Sequence, residues 1–143
     1  TEPALHELQP AVSILIPAWN EHGTIERSLQ SLQQIDYPNW EALILAGGQD
    51  GTFDTAQQVA AGDPRLRVLP RGPEPKNVAI TRGIEAARYD LLVLLDADSL
   101  VEPNWLRELV KPIVQGAAGS FGMHYPARET WVSLAEEMGF IKA

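Results

Sequence analysis

Short apolar runs recur along this chain, each followed by a turn and then by a stretch with apolar residues at three- and four-residue spacing. The runs predict strands and the stretches predict helices. Val12-Ser13-Ile14-Leu15-Ile16 reads as the first strand, stopped by Pro17. Ile25, Leu29 and Leu32 share one helical face over Thr24 to Gln34, with Thr24 as the cap. Tyr37-Pro38-Asn39 is a turn, and Glu41 to Ala46 a second strand. After a glycine-rich loop from Gly47 to Gly51, Thr52 or Asp54 opens a helix reaching Ala61. Leu66 to Leu69 predicts a third strand, the loop from Gly72 to Pro75 follows, and a helix then covers Lys76 to Ala87.

Leu91-Leu92-Val93-Leu94-Leu95 has no polar alternation, so it predicts a strand buried on both faces, as in the middle of a parallel sheet. Trp105, Leu106, Leu109, Val110 and Ile113 mark another helix, which Pro112 should kink or end. Residues 117–123 predict a fifth strand and 129–138 a last helix. Strands alternating with helices imply βαβ units. The expected fold class is therefore α/β: three layers, α/β/α, around a mostly parallel central sheet. Residues 1–11 read as a lead-in and 12–143 as one domain.

The apolar run at 91–95 ends on Asp96-Ala97-Asp98. Open α/β sheets place ligands in the crevice beyond the strand ends. In extended chain, side chains at i and i+2 point the same way, so Asp96 and Asp98 can face one hard cation. Mg²⁺ and Mn²⁺ take such oxygen ligands, and Mg²⁺ is commonly shared between one or two carboxylates and substrate phosphates. The same tripeptide also reads as a solvated turn, or as the cap of a following helix at Asp98-Ser99. Two further strand ends share that edge, Pro17-Ala18-Trp19-Asn20-Glu21 and Gly47 to Gly51. Trp19 offers a face for stacking on a base, with a core or rim aromatic as the alternative. Gly48 and its neighbours let backbone approach a ligand, and the next helix N-terminus favours an anion. Asp50 could serve there or cap the helix. Lys76 could meet a phosphate or simply be solvated.

Composition narrows the choice. The 143 residues carry a net charge of −8, which argues against a nucleic-acid surface or an anionic membrane. An acidic protein binding a nucleotide should do so locally, through a cation and backbone donors. There is no Cys, so neither disulfides nor thiolate metal sites arise. His6, His22 and His124 lack metal-ligand spacing and read as loop or surface residues. No apolar stretch is long enough to span a membrane, and the expected location is cytoplasmic, or the cytoplasmic membrane face in a longer parent. A dinucleotide-dependent oxidoreductase is disfavoured, because Gly47, Gly48 and Gly51 have the wrong spacing and follow the second strand.

Six segments in order resemble glycosyltransferase family 2. They are Val12 to Glu21, Tyr37-Pro38-Asn39-Trp40-Glu41, Asp50-Gly51-Thr52, Asn77 to Ala87, Leu94 to Asp98, and Glu102-Pro103. The resemblance implies a GT-A fold that binds a nucleotide-sugar with Mn²⁺ or Mg²⁺. Carried over by position, Pro17, Ala18 and Trp19 line the base, with Glu21, Gly48 and Asp50 in the donor site. Lys76 and Asn77 contact the nucleotide, Asp96 lies near the ribose and joins the metal site, and Asp98 binds the metal. The implied reaction is sugar transfer from a nucleotide-diphosphate donor, with inversion. A UDP-sugar is expected ahead of a GDP-sugar.

Two departures qualify the match. Ala46 and Gly47 stand where the family often has acidic residues, one of which reads the base, so backbone groups are expected to do so here. The family's catalytic base lies well downstream of Asp-x-Asp, and Glu129, Glu136 and Glu137 are too near it to be assigned. The chain is thus expected to be a donor-binding half without the acceptor half. Apolar residues Val132, Leu134, Met138 and Phe140 suggest a surface for dimerisation. The alternatives are a non-catalytic nucleotide-sugar-binding or regulatory module, and a nucleotidyltransferase.

Overall fold

The structure, a computed structural model, describes residues 9–114. The expected strand at 117–123, the helix at 129–138 and the apolar group from Val132 to Phe140 lie outside the described residues, as do His6 and His124. Eight elements alternate: β1 (Val12–Trp19), α1 (His22–Gln33), β2 (Trp40–Gly47), α2 (Thr52–Ala60), β3 (Leu66–Pro70), α3 (Lys76–Ala86), β4 (Leu91–Leu94) and α4 (Trp105–Val114). The four strands form one sheet in the order β3-β2-β1-β4, and every pairing is parallel.

That order contains a reversal. The first two crossovers, through α1 and α2, step outward from β1 to β3; the third, through α3, returns to the other side of β1. Crossovers of one hand then put α3 on the opposite face from α1 and α2. Gly83 lets α3 lie close to the sheet: a Cβ there would press on Leu15 and Leu45. Ile14, Ile16 and Ile44 alternate with those residues and fill the other face. The reversal leaves a switch point between β1 and β4, where open sheets hold their ligands.

Pro17 shapes that switch point. Contrary to the sequence expectation, β1 does not stop there but runs on to Trp19, paired with β2 throughout (Pro17↔Leu45, Trp19↔Gly47). Pairing with β4, however, ends at Leu15↔Leu94, with a last bond from the Leu95 N–H to the Leu15 carbonyl at 3.0 Å. By strand alternation the next donor on that side is residue 17, and proline has no N–H. The proline therefore ends one ladder rather than the strand, and the chain after β4 is free to diverge.

Other ends differ from expectation in small, explicable ways. α1 begins at His22 rather than at Thr24, because its first N–H is capped from another loop by Asp50. α4 continues through Pro112 to Val114, the last described residue; Pro112 has no N–H to give the Glu108 carbonyl one turn back, so it removes one helix bond without ending the helix. Leu91 and Leu92 are half-buried rather than enclosed, since β4 is the last strand among the described residues. No helix among the described residues is long and apolar enough to cross a membrane.

Candidate functional site

A cleft of about 290 Å³ opens at the switch point, lined by Pro17, Trp19, Glu21, Arg71, Lys76, Asp96, Ala97 and Asp98. Its two ends differ in character. On the β4 side, the Asp96 carbonyl accepts the Ser99 N–H at 3.1 Å, closing a turn that presents both Asp96 and Asp98 to the cleft. The pair is thus set by a turn, not by the extended chain expected from the sequence. Lys76 Nζ lies 3.0 Å from Asp96 Oδ1. Lys76 is the first residue of α3, where a cation opposes the helix dipole. The Asp96 carboxylate offsets that, so the lysine's position makes sense only through its partner. Among the described residues, the Asp98 carboxylate has no hydrogen-bond or ion-pair partner.

On the β2–β3 side, Trp19 ends β1 and Arg71 follows β3 directly. The Arg71 N–H donates to the Ala46 carbonyl at 2.9 Å, which carries the β3 pairing one residue further. Its guanidinium carbon stands 5.7 Å from the Trp19 ring centroid, within cation–π range. Nη2 donates to the Glu74 carbonyl at 3.2 Å, and Nε is buried with no partner among the described residues. Burial pushes the Arg71 pKa below its ordinary value, with the Glu74 charge opposing. Gly47 makes this approach possible, for a Cβ there would overlap the Arg71 carbonyl and crowd the Trp19 ring. Sequence reasoning missed Arg71. The one available signal was the small residue at 47, which vacates space beside it.

The remaining expected residues hold the loops. Asn20 adopts positive φ (55°), its N–H donates to the Gly47 carbonyl at 3.1 Å, and its Oδ1 accepts the Gln49 N–H at 2.8 Å. Gly48, at φ 120°, leaves the space that Asn20 occupies. Asp50 accepts the His22 N–H at 3.0 Å and the Thr52 N–H at 3.1 Å, so one carboxylate caps two helices. The Thr52 hydroxyl bond is the main cause holding the Asp50 pKa below the usual carboxylate range. Thr52 also accepts the Glu21 N–H, and the Glu21 carboxylate takes the Thr24 hydroxyl. Ala18 is fully buried in the sheet, and Asn77 is exposed with its Oδ1 on the Val78 N–H. Of the residues singled out from the sequence, the structure brings Pro17, Trp19, Glu21, Lys76, Asp96 and Asp98 together around the cleft. Ala18, Gly48, Asp50 and Asn77 are not among its lining residues.

The donor set can be tested for a cation. No group of three or more His, Asp or Glu side chains that could hold a metal occurs among the described residues. Two adjacent carboxylates on an open cleft nevertheless fit a hard cation that draws its other oxygens from a bound phosphate and water, as Mg²⁺ does. They do not fit a closed site such as structural zinc.

The family model described as glycosyl transferase family 2 matches residues 13–137. Glycosyltransferase AglE of Haloferax volcanii is 30% identical over 125 residues, covering 82% of this chain and 41% of the relative. The undecaprenyl-phosphate 4-deoxy-4-formamido-L-arabinose transferase of Pectobacterium carotovorum is 33% identical over 115 residues, covering 73% of this chain and 34% of the relative. The chain spans 34% to 41% of the length of these two curated relatives. Among solved structures, a mannosyltransferase from Pyrobaculum calidifontis in complex with GDP-Man and Mn²⁺ superposes with a TM-score of 0.70 at 26% identity, over 74% of this chain and 33% of that one. Glucosyl-3-phosphoglycerate synthase from Mycobacterium tuberculosis, in complex with Mn²⁺, UDP and glucosyl-3-phosphoglycerate, gives 0.64 at 26% identity, over 82% and 47%.

Proposed function

Because the chain belongs to glycosyl transferase family 2 and has the GT-A fold of its structural neighbours, we propose that its cleft binds the nucleotide-diphosphate sugar of a glycosyl transfer. The observation that carries this reading is the polarity of the cleft: Trp19 and Arg71 at one end, Asp96, Asp98 and Lys76 at the other. The base stacks on Trp19, and the diphosphate lies toward the acidic end together with a divalent cation, Mn²⁺ or Mg²⁺. Asp98, uncommitted to other groups among the described residues, is the principal metal ligand, and Asp96 the second. The neighbours described with Mn²⁺ beside GDP-Man or UDP lend support to this placement.

When bound, the cation supplies Lewis-acid stabilisation of the charge that builds on the departing nucleoside diphosphate. The chain's own residues do the rest. Lys76 neutralises Asp96 and keeps a cation beside the path of the diphosphate, so a doubly acidic loop can receive an anionic ligand. Asn20, Gly48 and Asp50 lock the β1–α1 and β2–α2 loops to each other, which fixes Trp19. Transfer with inversion, by in-line attack of an acceptor hydroxyl, completes the proposal for the whole protein. No described residue is assigned as the base for that step.

Calorimetric titration of UDP and GDP, with and without Mn²⁺, tests the reading. Saturable binding that requires the metal supports it. Absence of binding by either nucleotide in Mn²⁺ refutes it.

A further inference from the structure

The end of β2 presents Ala46 and Gly47, so no acidic side chain reaches the base from that strand. The cleft's carboxylates are placed elsewhere. Asp96 and Asp98 are at the opposite end, and Glu21 is engaged by the Thr24 hydroxyl at 2.8 Å. What does stand over the Trp19 ring, 5.7 Å from its centroid, is a guanidinium. Its position and the missing acid are one feature, since any side chain at residue 47 would collide with the Arg71 carbonyl.

We propose that Arg71 reads the base of the donor, and that it favours a base presenting two adjacent acceptors, guanine or cytosine, over uracil and adenine. The inference rests on the donor-site reading above, and it reverses the expected preference for UDP over GDP. A guanidinium has only donors, held in a rigid planar fork. Among the described residues the Arg71 guanidinium is committed only to the Glu74 carbonyl, through one N–H of Nη2, and Nε is buried, so the fork left for a ligand is Nη1 with the second N–H of Nη2. Guanine offers N7 and O6 side by side, the commonest partner of an arginine fork. Cytosine offers O2 and N3 in the same way. Uracil sets an N–H between its two carbonyls, and adenine sets an amino group beside N7, so each meets part of the fork donor to donor. A base reader with a carboxylate would have the opposite preference toward uracil.

The test is calorimetric titration of GDP, CDP, UDP and ADP in Mn²⁺, on the parent chain and on Arg71→Met. We expect GDP and CDP to bind about ten-fold or more tightly than UDP and ADP. Arg71→Met should bring the four within about three-fold of one another while preserving the Mn²⁺ requirement. If that variant fails to fold, Arg71→Lys, which keeps the charge and loses the fork, should likewise lose the preference. UDP binding as tightly as GDP in the parent overturns the proposal and leaves the donor site standing. A uniform loss for all four nucleotides in the variant also overturns it, by making Arg71 a diphosphate ligand. Failure of every nucleotide to bind the parent removes the donor site and this inference together.

Discussion

Glu41→Gln probes what holds the sheet at the edge away from the cleft. Glu41 is the second residue of β2 and is 2% exposed. Its Oε2 accepts the Ser13 hydroxyl and the Arg88 N–H, each at 2.7 Å, and its Oε1 accepts Arg67 Nη1 at 2.9 Å. One side chain thus ties β1, β2, β3 and the α3–β4 loop. Gln preserves the shape and leaves one carbonyl oxygen for Ser13 and Arg88. Its amide NH₂ must then face Arg67, donor against donor, and the arginine loses its counter-ion. Breaking a buried pair costs about 3–5 kcal/mol. Arg67 is 28% exposed, so water recovers part of this, and we expect a loss of about 2–3 kcal/mol. For a chain of this size that corresponds to a fall in Tm of roughly 6–12 °C, read by circular dichroism at pH 7. The pH dependence gives a second check. Burial alone would raise the Glu41 pKa, but the Arg88 N–H, the Ser13 hydroxyl and Arg67 outweigh it and hold the carboxyl below its ordinary value. A depressed folded pKa contributes stability that is complete above the unfolded value, about 4.3, and is lost as pH falls through the folded value. The gap between parent and variant should therefore narrow in acid. A Tm difference under about 2 °C at pH 7, or a gap that persists in acid, refutes the argument.

Asp98→Asn should abolish the Mn²⁺-dependent part of nucleotide binding and leave Tm unchanged, because no described residue relies on that carboxylate; unchanged titrations would remove it from the metal site. Trp19→Ala should weaken nucleotide binding by about 1–3 kcal/mol without altering the metal requirement, and calorimetry in both conditions separates the two. Gly47→Ala should cost about 1–3 kcal/mol of stability in urea unfolding, since its Cβ meets the Arg71 backbone rather than a movable side-chain tip; a neutral substitution would show that the Arg71 loop yields freely.

The strands were legible because their apolar runs are uninterrupted, and the place of the Asp-x-Asp pair because it follows one of them, though the turn that sets it was not the extended chain expected. The ends were less so, for reasons specific to each. Pro17 reads as a breaker in one dimension, but a strand has two edges, and its missing N–H matters only at the β4 side. Thr24 looked like a cap because the actual cap, Asp50, comes from a loop 28 residues away in sequence from His22. The Lys76–Asp96 pair joins residues 20 positions apart, so neither predicts the other. Arg71 lies in a loop whose local pattern carries no chemistry, and its importance emerges only when β3 pairing sets it against Ala46 and Gly47. Glu41 was legible as part of a strand, while its burial depends on donors from three other segments.

The strand order also fixes a sequence in time. During synthesis β1 can pair with β2, and β2 with β3, as soon as α1 and α2 have emerged. The other edge of β1 must wait until α3 and β4 have left the ribosome, because their register joins Val12 to Leu91. Long-range parallel pairing is the slow kind. Until it occurs, the N–H and C=O groups of Ser13 and Leu15 on that edge stand open to any other extended chain, which is the exposure that leads nascent sheets to aggregate. The cleft is closed by the same late event, so a ligand that bound there would report the docking of β4 and draw that strand into place.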